Sequence, residues 1–167
     1  MLAERKAAIC ARWLDAVLGE YGEETAARWR RVRDPFANPV GQALAKGLPR
    51  LFDAVASDGE PSTEALGALE QIVRIRSVQD LSASQAVGFL LRLRDAILAE
   101  LPGADLGPLN PRIEGLTLRA FDLYVGFREQ MLRIRQEELK RSVGAVLRRW
   151  HGPQHEDLVQ LSVKEER

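Results

Sequence analysis

Apolar side chains recur along most of this chain at the three- and four-residue spacing that lines one face of a helix. The first such stretch runs from about Ala3 to Gly19, with Ile9, Trp13, Ala16 and Val17 on one stripe. Tyr21 and Gly22 break it, and a short polar helix follows from Glu24 to Arg33 around Trp29. A third segment carries Val40, Ala43, Leu44, Leu48, Leu51, Phe52 and Val55. Pro49 lies inside it, where a ring without an N–H predicts a kink or break near Lys46 and Gly47. The next helix is predicted from Ser62 to about Val78, with Ala65, Leu69, Ile72 and Val73 inward. Another is predicted from Ser82 to Leu101, where Pro102 and Gly103 stop it. Its stripe of Ala86, Phe89, Leu90, Leu93, Ile97 and Leu101, widened by Val87, Leu91 and Leu98, predicts burial over more than half its circumference.

The polar residues between these stripes punctuate them. Asn38 followed by Pro39, and Asn110 followed by Pro111, each place a side-chain acceptor at a helix N-cap and a proline where no N–H is needed. Ser62 caps its helix with Glu64 in the first turn. Ser82 and Gln85 have the spacing of a capping box, in which each side chain satisfies the other's backbone N–H.

From Pro111 the pattern continues to about Trp150, a length of about 60 Å if wholly helical, too long for one compact domain of this size. The apolar face also changes. Ile113, Leu116, Ala120, Leu123, Tyr124, Phe127, Met131 and Ile134 share one arc, and Leu139, Val143, Val146 and Trp150 another, rotated by about a third of a turn. The first half is expected to face the domain core. The second, with no partner inside the domain, is the candidate interface for a second copy of the chain. After His151 the periodicity ends, and 151–167 reads as a flexible C-terminal tail to a domain spanning 1–150.

Composition narrows what such a fold does. With 167 residues the chain has the size of one domain. Lys and Arg number 24 and so do Asp and Glu, which argues against a general nucleic-acid binder, since that needs a basic excess to release phosphate counterions. The cluster Arg28, Arg30, Arg31 and Arg33 therefore reads as a solvated face. No stretch approaches the ~20 apolar residues of a membrane span, and no signal-peptide pattern opens the chain, so it is expected in the cytoplasm. The single cysteine, Cys10, sits on an amphipathic stretch and reads as a small core residue.

The chemistry of catalysis is missing. Both histidines, His151 and His155, fall in the tail, and no spacing of His, Cys or carboxylates suits a metal. No strand precedes a glycine-rich phosphate loop. Glu137 and Glu138 lie on a highly charged surface, where solvation is the default. Neither a catalytic residue nor a cofactor is expected.

One residue breaks the pattern. At ~100° per residue Arg76 falls near the centre of the arc of Leu69, Ile72 and Val73, with Gln79 at its edge. A lone guanidinium there is costly to desolvate. Three arrangements answer that cost: a stem that snorkels to water, a head bonded to a carboxylate or helix-end carbonyls of a neighbour, or a contact with a ligand. Arg76, Gln79 and Asp34 are thus the candidate pocket or inter-helix polar contact, with Asp53 and Asp80 as further acids within reach.

Two segments also resemble a known family. Asp34-Pro35-Phe36-Ala37-Asn38-Pro39-Val40-Gly41 is similar to the signature opening the second main helix of RsbT co-antagonist (RsbRD) N-terminal domains. Ile72 to Asp80, followed by Ser82 to Phe89, resembles that family's central motif, in the same order and at a similar gap. The resemblance covers about residues 1–150. It implies a globin-like helical bundle without haem, a sensory or regulatory role in bacterial stress signalling, and a homodimer built partly on the long last helix. A STAS or kinase output domain, usual after such a sensor, has no room after Trp150, so a stand-alone member is expected. The absence of a histidine from any core helix independently disfavours haem. The resulting expectation is a non-enzymatic regulatory module with protein partners. The alternatives are a binding module for a small ligand and a structural adaptor of a larger complex.

Overall fold

The computed structural model describes residues 2–32, 34, 37–79 and 81–150, except for the side chains of 147–149. A single turn of 3₁₀ helix, Ala3–Arg5, leads into seven α-helices: α1 Lys6–Gly19, α2 Glu23–Arg31, α3 Pro39–Ala56, α4 Thr63–Ser77, α5 Ala83–Gly88, α6 Arg92–Glu100 and α7 Asn110–Trp150. The described residues contain no strand, and the fold class is all-α with a long C-terminal helix, as the periodicity predicts. The chain divides into two compact units, one ending at Arg128 and the other beginning at Glu129.

The predicted caps fold as their chemistry requires. Asn38 Oδ1 accepts from Gly41 N at 2.8 Å, and its Nδ2 donates to the carbonyls of Trp29 and Val32. One buried amide thus starts α3 and closes the end of α2. Ser62 Oγ accepts from Ala65 N, and both halves of the Ser82–Gln85 capping box are present. Pro49 neither breaks nor interrupts α3, which runs unbroken through it. Its flanks Leu48, Leu51 and Phe52 are buried, so packing offsets the one backbone hydrogen bond that proline removes.

In the first unit α1 packs against α3 and α6, and α3 against α4. The core is built from Ile9, Trp13 and Val17, then Leu44, Leu48, Leu51 and Phe52, then Leu69, Ile72 and Val73, with Phe89, Leu93, Ile97, Ile113, Leu116 and Ala120. The predicted stripes supply most of it. Gly47 permits the close approach of α3 to α4, since a Cβ there would stand 2.7 Å from Ile72 Cδ1. Cys10 is buried, and desolvation pushes its thiol above the ordinary value.

The pattern overreached at its edges. Ala16, Leu91 and Leu98 are exposed, so α6 buries a narrower face than predicted. The single helix expected over 82–101 is two helices, α5 and α6, joined by a tight turn over Phe89–Leu91. On α7, Ile113, Leu116, Ala120 and Tyr124 are buried and Leu123 and Phe127 are half-buried, but Ile134, in the second unit, is exposed.

Candidate functional site

The site begins with a chain reversal. Helix α1 ends at Gly19, and Gly22, at φ +85°, turns the backbone into α2. An L side chain rarely adopts that φ, so glycine suits the position. The reversal leaves Glu20 and Tyr21 at the C-terminal end of α1. Two helices away, the last turn of α4 presents Arg76, only 1% exposed, with Gln79 just beyond it. The third contributor is the α5–α6 turn.

Arg76 does not snorkel. Its Nε donates to Ala86 O at 3.1 Å, Nη1 to Tyr21 Oη at 2.7 Å, and Nη2 to both Glu20 Oε2 and Gln85 O at 2.8 Å. The guanidinium also lies against the rings of Tyr21 and Phe89, 5.1 and 5.5 Å from their centroids, where the face of each ring attracts a cation. Tyr21 Oη donates in turn to Gln79 Oε1 at 2.8 Å, and its ring packs on Trp29. The other oxygen of Glu20 accepts from the exposed Arg92 at 3.4 Å.

The break between α5 and α6 supplies acceptors to this network. A continuous helix would bond Ala86 O to the N–H of residue 90. Here Leu90 N donates instead to Val87 O, and Leu91 N to Gly88 O, in the tighter three-residue pattern. The carbonyls of Gln85 and Ala86 thus face Arg76. Phe89 O is taken by Trp13 Nε1 at 2.6 Å, while the Trp13 and Phe89 rings stack 6.4 Å apart. A buried cation and a buried indole N–H therefore hold the turn, each satisfied where an apolar core would leave it costly.

Burial pushes the Tyr21 hydroxyl up to about 12; Arg76 opposes the shift and Glu20 adds to it. The phenol is neutral at ordinary pH and free to donate to Gln79.

Of the residues singled out by pattern, Arg76 and Gln79 come together through Tyr21. The carboxylate on Arg76 is Glu20, which pattern alone did not mark, because it lies past the end of a helix and 56 residues away in sequence. Asp53 instead pairs with Lys6. Asp34 lies before α3, its carbonyl accepting from Asn38 N. Asp80 lies outside the described residues, as do His151 and His155. Tyr21 and Gln85 also went unmarked; the signal available for Gln85 was its capping box, which fixes the turn whose carbonyl Arg76 uses. Leu139, Val143, Val146 and Trp150 all lie on α7 in the second unit, and all are exposed, Trp150 at 87%. Among the described residues no group of three metal-ligating side chains gathers, and no helix is long and apolar enough to cross a membrane.

Residues 7–139 match the family model described as the RsbT co-antagonist protein rsbRD N-terminal domain. No curated protein and no solved structure matches the chain.

Proposed function

The chain belongs to the RsbT co-antagonist protein rsbRD N-terminal domain family, and from that premise we propose that it is a non-enzymatic regulatory module of bacterial stress signalling, cytoplasmic and globin-like, working through protein contacts as a homodimer. The observation that carries the contact is a run of exposed aliphatic side chains. In the second unit these are Leu132, Leu139 and Val146, and every one is exposed. In the sequence they recur every seven residues. A seven-residue repeat keeps side chains on one helical face with only ~20° of drift per repeat, the pattern by which helices pair. Val143 and Trp150, also exposed in the second unit, broaden the face. A second copy brings an identical stripe, and an isologous contact hides both.

The Arg76 network bears on the small-ligand alternative. All four of its hydrogen bonds end on protein acceptors, which favours an inter-helix contact over a ligand contact. In this reading 1–150 acts as the module and 151–167 as its tail.

Sedimentation equilibrium at tens of micromolar, by order of magnitude, together with native mass spectrometry of the protein purified from its own host, tests the proposal. A dimer carrying a second protein species is the expected result. A monomer, or a chain that turns over a co-purified small molecule, overturns it.

A further inference from the structure

The end of α4 is gripped from two sides. On its inner side Arg76 binds Glu20, Tyr21 and the carbonyls of Gln85 and Ala86. On its outer side the first-unit part of α7 takes hold over a single turn, Tyr124–Arg128. Tyr124 Oη donates to Leu81 O at 3.2 Å, and Arg128 Nη1 donates to Ser77 O at 3.3 Å. The Arg74 guanidinium lies 4.8 Å from the centroid of the Phe127 ring. Ser77, 0% exposed, ties the segment to itself by donating from Oγ to Arg74 O.

These two grips alternate along one short stretch of backbone. Arg76 and Gln79 turn inward, while Arg74, Ser77 O and Leu81 O meet α7. Ser77 O belongs to the last turn of α4, where carbonyls lack intrahelical donors, and a cation there also suits the helix dipole. A shift of the backbone at Arg76 therefore moves the acceptors that Arg128 and Tyr124 hold. Glu20 is the accessible member of the inner grip. One of its oxygens binds Arg76 and the other Arg92, and it lines a surface groove of about 630 Å³ together with Gln85, Arg92 and Arg94.

We propose that the end of α4, residues 74–79, together with Leu81, is a latch that couples the Glu20–Arg76 ion pair to the docking of the α7 turn Tyr124–Arg128, so that loss of the Glu20 contact loosens that turn. The latch gives the regulatory reading above a route from surface to helix, and its regulatory meaning rests on that reading. The coupling itself is a property of the isolated chain.

Amide hydrogen exchange of the full chain tests it, in the wild type and in Glu20→Gln and Arg128→Ala. Coupling between two sites is reciprocal and typically amounts to about fivefold or more. Glu20→Gln is expected to speed exchange over 120–128 by at least that factor, and Arg128→Ala to do the same over 85–91. The α3 core, 43–52, changes by less than about twofold if the coupling follows this route and not global opening. Effects confined to each variant's own side overturn the latch, and so does an equal rise everywhere. Arg128→Ala alters an exposed residue, so the reciprocal arm stands even where Glu20→Gln weakens the whole fold. Sedimentation of the same samples separates the two proposals: reciprocal exchange in a monomer keeps the latch and removes the dimer.

Discussion

Arg76 and Leu139 break the same rule in opposite directions. One is a guanidinium 1% exposed in an apolar interior, the other a leucine 65% exposed to water. The first is explained inside the first unit, where a carboxylate, a phenol and two backbone carbonyls meet the guanidinium. No described side chain gives Leu139 a comparable account, and it recurs with Leu132 and Val146 at a spacing suited to another helix. A misplaced polar group that is satisfied points to architecture. A misplaced apolar group that is not covered is the one for which a partner is proposed. Substitutions that break this contrast differ by an order of magnitude in what they do to the folded chain.

The largest effect belongs to Arg76. Arg76 is buried but Glu20 is partly exposed and also binds Arg92, so Arg76→Ala acts chiefly by stripping donors from the carbonyls of Gln85 and Ala86, a loss of about 1–3 kcal/mol for each buried acceptor left unpaired. A denaturant melt is expected to show a loss in that range, with the slope unchanged if the native fold persists. Arg76→Lys keeps the charge but not the planar fork that reaches four acceptors, so it falls short of the wild type too. A loss of about 1 kcal/mol or less for the alanine variant would mean that the head reaches water after all.

The contrast also marks what was legible in the sequence. Element positions were, because Asn38, Ser62 and Ser82 act through local hydrogen bonds whose spacing the chain itself prints. The anomaly of Arg76 was legible as an angle on a helical wheel. Its partner was not, because Glu20 reaches it through a chain reversal, and no periodicity connects residues 56 apart. The split between α5 and α6 was hidden for a related reason. Phe89 to Leu91 keep helical sequence character, and the turn is held from outside by Trp13 and Arg76. The apolar arc of α7 was drawn through Met131 and Ile134 because periodicity does not say where one unit ends, here at Arg128.

A middle-sized effect falls on Tyr21. Tyr21→Phe removes the hydroxyl that joins Arg76 to Gln79, and a buried polar group left without its partner costs about 1–3 kcal/mol. The hydroxyl also predicts a pH dependence. Its folded value is raised to about 12 from an ordinary 10, chiefly by burial. Below pH 10 the phenol is protonated in both states, and this contribution is fully present. Between about pH 10 and 12 the unfolded chain loses the proton first, so stability falls as pH rises. Melts across that window should show the decline in the wild type and a shallower one in Tyr21→Phe. Equal slopes would place the titration elsewhere.

A smaller and more local loss is expected at the junction of α2 and α3. Asn38→Ala removes an N-cap, at a cost of about 1–2 kcal/mol, and leaves the carbonyls of Trp29 and Val32 without their shared donor. Asn38→Asp keeps the acceptor for Gly41 N but sets a buried carboxylate oxygen against the carbonyls of Trp29 and Val32, so it is expected to be at least as destabilised as the alanine variant. If Asn38→Asp instead melts with the wild type, the donor half of the amide contributes nothing, and the tie between α2 and α3 is only a packing contact.

The smallest effect on the folded monomer, and the one that sharpens the comparison most, belongs to Leu139. An exposed side chain away from caps and buried networks changes stability by about 0.5 kcal/mol or less when replaced. Leu139→Glu is therefore expected to leave the monomer's unfolding nearly unaltered. Its consequence appears in association. Two copies pairing along the stripe would each place a carboxylate where an aliphatic side chain had been, desolvating like charges against one another. Sedimentation should move from dimer toward monomer for Leu139→Glu, and more so with Val146→Glu added. Leu139→Met, which keeps volume and apolarity, should retain the dimer. Charge reversal of Glu137, also exposed on α7, is the control for charge alone. If Leu139→Glu and the Glu137 variant weaken association equally, net charge governs the contact and the stripe does not. If neither weakens it, the exposed leucines need another explanation, and the outward half of the contrast with Arg76 fails while the inward half stands.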